Sequence, residues 1–541
     1  MGGGALIQLA AYGAQNIYLT GDPQITFWKT VYKRYTNFAI ESIQQNIAGN
    51  LLPNNFVSVT ISRDGDLLKN LWIQYNPQTI YNGNNVTFPN GGIPSNLGNT
   101  ILKQMDIEIG GNLIDRQYGL WLTIWGNLTN VNYISPSPPI DTYPISYTDL
   151  NGTEPSVSTL FSRMSYNHQQ QNTKFNLLLT TNGINSLPTS GTFTLNLQSY
   201  INSSISSNNK ILGSPGILII TISDVKYYIE YSTIPTLSEI NYVYYYTFTN
   251  CISYNYPTTS VTIPNDTSVS FSYYDYNLSN APTEAYVPMQ FWFCKNPGLA
   301  LPLIALQYSE VKFNIQLADY KELHATQFSD VNLTSIRVFA DFVYLDSTER
   351  RQFTQNAHEY LIEQLQRNLF NNSFASNISG GQLQIKLNFA NPVKEIVFCG
   401  SPDAIGIESD GIATPTNILA NNSVSLSNVQ LGLVFNQVNR FSGRNLKYFT
   451  RNQIWDCHSG SGSANSSNDY DINDNIGVYS FSLRPEEFQP SGSCNFSRIT
   501  NPYLVFSNFD TGEELNYLDI YATNYNILRI ISGMGNIAFA Y

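Results

Sequence analysis

The sequence predicts an all-β protein built from two tandem β-sandwiches, and three observations carry that expectation. Of its 541 residues, 42% are hydrophobic and only 12% charged, about half the ~25% charged share of an average soluble domain. Thirty-seven Tyr, 29 Phe and 25 Pro, beside abundant Thr, Val and Ile, suit a pleated, half-buried backbone with frequent turns. Apolar residues alternate with period two in two blocks separated by a short charged segment, and the chain is too long for one comfortable core.

The first 21 residues are Gly-rich, then small and apolar, and are expected to form an arm that becomes ordered against another subunit. Asp22-Pro23 reads as a helix start, with Ile25, Trp28, Val31, Tyr32 and Tyr35 recurring on one face. Lys29, Lys33 and Arg34 against Asp22 give the first 40 residues a balance of +2, in a chain whose net charge is −12.

From Phe56 the period changes. Val57, Val59 and Ile61 alternate with Ser58, Thr60 and Ser62, and Asp64-Gly65-Asp66 turns the chain into a second apolar run through Trp72. The pattern returns at Met105, Ile107 and Ile109, breaks at Gly110-Gly111, and resumes through Leu113, Ile114, Tyr118, Trp121 and Ile124, all read as sheet. Residues 126–285 differ, with a Pro-rich stretch at 135–139, Asn- and Ser-rich segments and a tyrosine cluster at 242–246. They read as a large, partly β insertion emerging from loops. Strand signals resume at Phe291–Cys294, Ala305–Leu317 and Ile336–Leu345. Asp346 then caps a charged helix, and His358–Leu369 reads as a second helical stretch. Alternation restarts with Leu383, Ile385, Leu387 and Phe389 and continues to the end. Pattern alone leaves immunoglobulin-like and jelly-roll topologies both open.

The acidic balance disfavours a nucleic-acid or polyanionic membrane partner for the protein as a whole. Five scattered cysteines (Cys251, Cys294, Cys399, Cys457 and Cys494) with no CxxC pair read as free thiols of a reducing compartment. The expected chain is soluble, without signal peptide, membrane span or myristoylation motif, since position 6 is Leu6.

No phosphate loop, HExxH or G-x-S-x-G occurs. Gly533-Met534-Gly535 imitates a dinucleotide fingerprint but has too little chain after it for a βαβ unit. Asp469, Asp471 and Asn473 imitate a calcium loop, yet Asp474 stands where the turn glycine belongs; a solvated turn is the simpler reading. Cys457-His458 reads as a buried thiol beside an ordinary histidine, because a zinc site needs four ligands at set spacings and the histidines at 168, 324, 358 and 458 are scattered. Arg350, Arg351 and Arg367 lie among Asp346, Glu349, Glu359 and Glu363 and read as an ion-paired linker, not a phosphate patch. The tyrosine cluster reads as packing within the insertion before it reads as a sugar- or base-stacking platform. About a dozen N-x-[ST] sequons, including Asn127, Asn265, Asn332 and Asn495, are what an Asn-, Ser- and Thr-rich chain produces by chance. The expected catalytic, cofactor-binding and metal-binding residues are therefore none.

Several segments together resemble one family, the major capsid proteins of the nucleocytoplasmic large DNA viruses. They are Gly3-Gly4-Ala5-Leu6-Ile7-Gln8-Leu9 with Tyr18-Leu19-Thr20-Gly21-Asp22-Pro23-Gln24-Ile25-Thr26-Phe27-Trp28-Lys29; Ile109-Gly110-Gly111 with Ile114-Asp115; and Asn296-Pro297-Gly298-Leu299-Ala300-Leu301-Pro302. Further matches are Tyr344-Leu345-Asp346 with Glu349-Arg350-Arg351; Arg484-Pro485-Glu486-Glu487 with Gln489-Pro490-Ser491-Gly492; and Tyr521-Ala522-Thr523-Asn524-Tyr525-Asn526. Residues 126–285 and roughly 400–430 offer no motif to align.

The resemblance implies two eight-stranded jelly rolls, with an arm at 1–26, a first jelly roll at 27–346 carrying the insertion, linker helices at 347–369 and a second jelly roll at 370–541. It implies a structural protein and not an enzyme, without cofactor. Such a chain forms a homotrimer whose pseudo-hexagonal capsomers tile the icosahedral shell of a large double-stranded DNA virus. Its implied partners are further copies of itself, minor capsid and penton proteins, and inner viral membrane proteins, with no direct nucleic-acid binding. It is expected in the virion capsid after synthesis in the host cytoplasm. Two alternatives stand beside this: a minor capsid or scaffold paralogue, and a glycan-binding surface protein using the tyrosine-rich insertion.

Overall fold

The computed structural model describes residues 3–24, 32–81, 96–129, 283–325, 327–370, 382–400, 427–460, 474–510 and 517–539, with shorter pieces between 161 and 274 and a few isolated positions elsewhere. Eight principal strands form the first sandwich: β1 (Phe38–Gln45), β2 (Phe56–Thr60), β3 (Leu67–Tyr75), β4 (Leu102–Ile109), β5 (Asn112–Tyr118), β6 (Ala285–Pro288), β7 (Val311–Leu317) and β8 (Arg337–Leu345). One sheet runs β1-β8-β3-β6 and the other β2-β7-β4-β5, with all neighbours antiparallel. The expected alternation places Val57, Val59, Met105, Ile107, Phe313 and Ile315 in the core between the sheets, because a period of two sends every second side chain inward. The Asp64-Gly65-Asp66 turn carries the chain from one sheet to the other. Gly110 and Gly111, at φ +59° and +82°, close the β4–β5 hairpin in the left-handed region that a two-residue turn of this kind requires.

The second sandwich repeats the plan. Its strands are β9 (His358–Phe370), β10 (Gln382–Lys386), β11 (Pro392–Gly400), β12 (Gln430–Phe435), β13 (Val438–Asn445), β14 (Ile476–Ser480), β15 (Tyr503–Ser507) and β16 (Leu518–Ile531). The sheets run β9-β16-β11-β14 and β10-β15-β12-β13. In both domains the first strand neighbours the eighth, which neighbours the third and then the sixth. The second neighbours the seventh, then the fourth and fifth. This is jelly-roll topology, two Greek keys folded into facing sheets, and it settles the choice that pattern alone left open. A separate core of Ile385, Val393, Phe398, Leu431 and Phe506, among others, fills the second sandwich.

Several local expectations are corrected. The linker helices expected at 347–369 reduce to α3 (Ser347–Gln355); α1 is Gly4–Ala10 and α2 is Gly119–Thr129. His358–Phe370 is strand β9, paired along its whole length with β16. Polar Glu363, Gln364, Gln366 and Arg367 hide its period of two, because they face protein partners and not solvent: Glu363, Gln364 and Arg367 meet Lys295, Ile114 and Tyr118 of the first sandwich, and Gln366 meets Ala390 and Asn524 of its own. Trp121 and Ile124 lie on α2, and Trp292–Lys295 is a helix as well. Short apolar runs such as Leu120-Trp121-Leu122 carry no distinguishing period, so strand and helix cannot be told apart there. Of the helix expected after Asp22, residues 25–31 lie outside the described residues and 32–37 are not helical. The arm itself carries α1 and a second short helix at Ile17–Thr20. The glycines resembling a dinucleotide fingerprint sit at a hairpin: Ser532 and Gly533, both with positive φ, turn β16 into the short strand Met534–Ile537.

The insertion is a β unit of its own. Strands at 193–200, 179–181, 268–274, 216–222, 225–231 and 243–253 pair in that spatial order around a ring that closes between 243–253 and 193–200. Among the described residues, no helix is long and apolar enough to cross a membrane.

Candidate assembly interface

The most heavily built part of the molecule is the seam between the two sandwiches. Helix α2 starts one residue after β5, and Gly119 lets it begin hard against the short helix Leu97–Thr100 that precedes β4: a Cβ there would lie 2.1 Å from the Asn99 carbonyl oxygen. Leu122 points into the first core. Trp121, Ile124, Trp125 and Leu128, spaced i, i+3, i+4 and i+7, pack instead on the outward face of the second domain's β9-β16-β11-β14 sheet, against Leu365, Val397, Cys399, Val478 and Tyr521. The Trp121 ring lies 5.2 Å from that of Tyr521 and 5.7 Å from that of Trp125. Burying one such aromatic side chain contributes roughly 2–3 kcal/mol. In return, Ile362, Leu528 and Ile530 of β9 and β16 reach into the first domain's core.

Buried charge locks the same seam. Lys394 is fully buried, and its Nζ donates to Glu363 Oε1 and to the Pro485 carbonyl at 2.6 Å. Lys295, from the first domain, meets Glu363 Oε2 at 3.3 Å and stands 3.9 Å over the Trp125 ring. His458 lies between two carboxylates, with Nε2 3.0 Å from Glu395 Oε2 and Nδ1 3.1 Å from Glu486 Oε1. Burial alone would push the His458 imidazolium down, but Glu395 and Glu486 outweigh it and hold the group at about 9. Burial opposes ionisation of Glu395, Glu486 and Glu363, yet their cationic and hydrogen-bonding partners bring all three below the ordinary carboxylate value.

Backbone groups complete the lock. The Leu365 amide donates to Asp115 Oδ1 at 2.9 Å, and burial raises that carboxyl to about 7. Ser459 Oγ, Gly460 N and Gly462 N donate to the carbonyls of Thr129, Leu128 and Asn127 at the end of α2. At the opposite end the Gly533 carbonyl accepts from Tyr308 N, and Gly535 N donates to Ser309 Oγ.

The residues singled out in the sequence fall unevenly on this site. His458 is a central member and not an ordinary histidine, while its neighbour Cys457 takes no part in the two carboxylate contacts. Arg350 and Arg367 are ion-paired as expected, but with distant Asp66 and Asp519 and not with their sequence neighbours. Asp469, Asp471, Asn473 and Asn265 lie outside the described residues. All five cysteines are free. Sequence reasoning missed Lys295, Lys394 and Glu395, and placed Glu363 only in an ion-paired linker, because nothing in their spacing shows that strand pairing and α2 bring them together. A Lys and a Glu adjacent within the apolar run of β11 were the available signal.

The arm is the second candidate surface. Leu6, Ile7, Leu9, Tyr18 and Leu19 are exposed, Leu6 at 70% and Tyr18 at 91%. Exposed apolar groups gathered on one segment are the kind of surface through which proteins meet partners.

Two jelly rolls of identical strand order, locked side by side and carrying an exposed apolar arm, define a double jelly-roll structural protein. Family models agree. The "major capsid protein N-terminus" model matches residues 26–134 and 218–346, and "large eukaryotic DNA virus major capsid protein" matches 349–536. The major capsid protein of Pyramimonas orientalis virus is 32% identical over 555 aligned residues covering 99% of this chain and 100% of that one. That of Paramecium bursaria Chlorella virus 1 is 28% identical, with 99% of each covered. The crystal structure of PBCV-1 VP54, fitted into a reconstruction of the virophage Sputnik, superposes with a TM-score of 0.55 at 25% identity, covering 95% of this chain and all of that one. The chain belongs to the major capsid proteins of large eukaryotic DNA viruses, and its role is that of a structural capsid component of the virion. The N-terminal model leaves 135–217 unmatched within the insertion, a shorter segment than the 126–285 expected, and the span of the second model includes 400–430.

Proposed function

We propose that three chains close into a homotrimer with a pseudo-hexagonal outline, and that these capsomers tile the facets of an icosahedral shell. One observation carries the reading: the same strand order occurs twice in one chain, and the two copies are fixed to each other by a buried seam. Three such chains present six similar sandwiches, and a heterologous contact repeated around a ring closes without exposed ends. The chain then acts through its surfaces as a building block and not as an enzyme; the buried titratable groups of the seam are engaged with one another.

In this arrangement the arm, residues 1–26, faces the shell interior, toward minor capsid proteins and inner viral membrane proteins, with the cationic Lys29, Lys33 and Arg34 just after it. Penton proteins meet the capsomers at the vertices. The β insertion between α2 and β6 stands outward. The net charge of −12 argues against direct contact with the genome. The protein is made in the host cytoplasm, where its five free thiols stay reduced. Native mass spectrometry of the purified protein tests the oligomer: a mass three times that of the chain is expected, and a monomer or dimer at micromolar concentration overturns the proposal.

A further inference from the structure

The seam within one chain states a docking rule: the helix that follows the fifth strand of one sandwich lies on the outward face of the first-eighth-third-sixth sheet of the next. The second sandwich has its own such helix. Residues 446–457 are helical from one residue after β13, as α2 is from one residue after β5, with a π-type turn over Tyr448–Asn452. The correspondence extends to packing, since Phe449 enters the second core as Leu122 enters the first. The outward faces differ. Where α2 buries Trp121 and Trp125, the second helix presents Trp455 at 90% exposure.

The first sandwich likewise has its own such sheet face. Register fixes which side chains lie on it: Ile40 stands opposite Val343, Phe339 opposite Trp72, and Tyr286 opposite Gln74, while Val338, Ala340 and Phe342 between them point into the core. Directly opposed residues share a face, so Phe38, Ile40, Phe339, Trp72 and Tyr286 lie on one side of the sheet, around Asp341, which accepts from Trp72 and Asn70, and beside Val343 and Leu67, which Ala300 and Phe353 cover. Phe38 is 52% and Ile40 47% exposed. The corresponding face of the second sandwich is the one α2 covers. Within a chain the rule is used once, from first sandwich to second. On the second helix Ile454 joins the seam cluster while Trp455 beside it stays exposed, and on the first sandwich's sheet face Phe38 and Ile40 stay open.

We propose that Trp455 of one chain packs on the outward β1-β8-β3-β6 face of a second copy of this chain, repeating between subunits the contact that α2 makes within one. The contact is heterologous, and alternating it with the internal seam generates a ring. This assignment rests on the trimer reading above and gives it a residue.

The test uses the full chain with Trp455→Glu. That side chain is almost fully exposed, so the melting temperature of the subunit should not move, while a carboxylate in an apolar contact should dissociate the ring. A wild-type trimer and a folded, monomeric Trp455→Glu variant are the expected pair. A Trp455→Glu protein that stays trimeric overturns the contact and leaves the trimer standing; a monomeric wild type overturns both. A photo-crosslinking benzoylphenylalanine at position 455 gives a readout independent of stability. The expected adducts join chains through peptides containing 38–45, 67–75 or 337–345, and adducts confined to other segments overturn the assignment.

Discussion

His458 Nε2 lies 3.0 Å from Glu395 Oε2 with neither side chain exposed to solvent, and Glu486 closes the other side of the ring at 3.1 Å. The folded state therefore holds the His458 proton more tightly than the unfolded chain does, raising the group from 6.5 to about 9. Its stabilisation is complete below about pH 6.5 and is lost as pH rises through 9. Asp115, raised from 3.8 to about 7, acts in the same direction and withdraws its contribution as pH rises through 7. Thermal unfolding should thus shift downward between pH 6.5 and 9.5, by on the order of 5 °C. In His458→Gln the slope over this range should shrink. An unchanged slope would remove His458 from the account.

The seam's apolar half gives a second expectation. Trp121 is 1% exposed and packs between Tyr521 and Trp125, so Trp121→Ala should destabilise the chain by ~3–5 kcal/mol. Denaturant unfolding should also become less cooperative, with the two sandwiches melting apart, because the residue ties one to the other. A single sharp transition at the wild-type midpoint would contradict this.

Charge pairs should divide by burial. Glu363→Gln leaves the buried ammonium groups of Lys394 and Lys295 short of their shared carboxylate, a loss of ~3–5 kcal/mol. Glu359→Gln breaks a pair with Arg529 in which both side chains are at least half exposed, and should cost about 0–1 kcal/mol. Equal effects in urea titrations would show that the buried network is not what holds the seam.

Deleting residues 1–21 should leave the capsomer intact in solution, since none of α1 is buried. Assembly into shells should be abolished. Electron micrographs of normal particles from the deletion would refute the arm's role.

Much of the first sandwich was legible because its strands are one-sided: Val57, Val59 and Ile61 announce their face, and Gly110-Gly111 announces its turn. Strand β9 was not, because its two ends serve different domains and its polar Glu363, Gln364 and Arg367 are engaged with neighbouring strands and the first sandwich. Helix α2 was read as sheet for the opposite reason. Leu122 faces one core and Trp121 and Trp125 another, so no polar face remains to reveal a 3.6-residue period. His458 illustrates the limit for the site: its partners come from β11 and from the loop after β14, at separations of 63 and 28 residues. Only the strand order brings them together, and spacing along the chain carries no trace of that.

Single-particle cryo-electron microscopy of the purified protein tests the central claim most directly. The expected result is a closed ring of six similar β-sandwich densities, alternately joined by the buried α2 seam and by the Trp455 contact, with threefold symmetry. Particles with one pair of sandwiches, or sandwiches that tumble independently about residues 347–357, would contradict it.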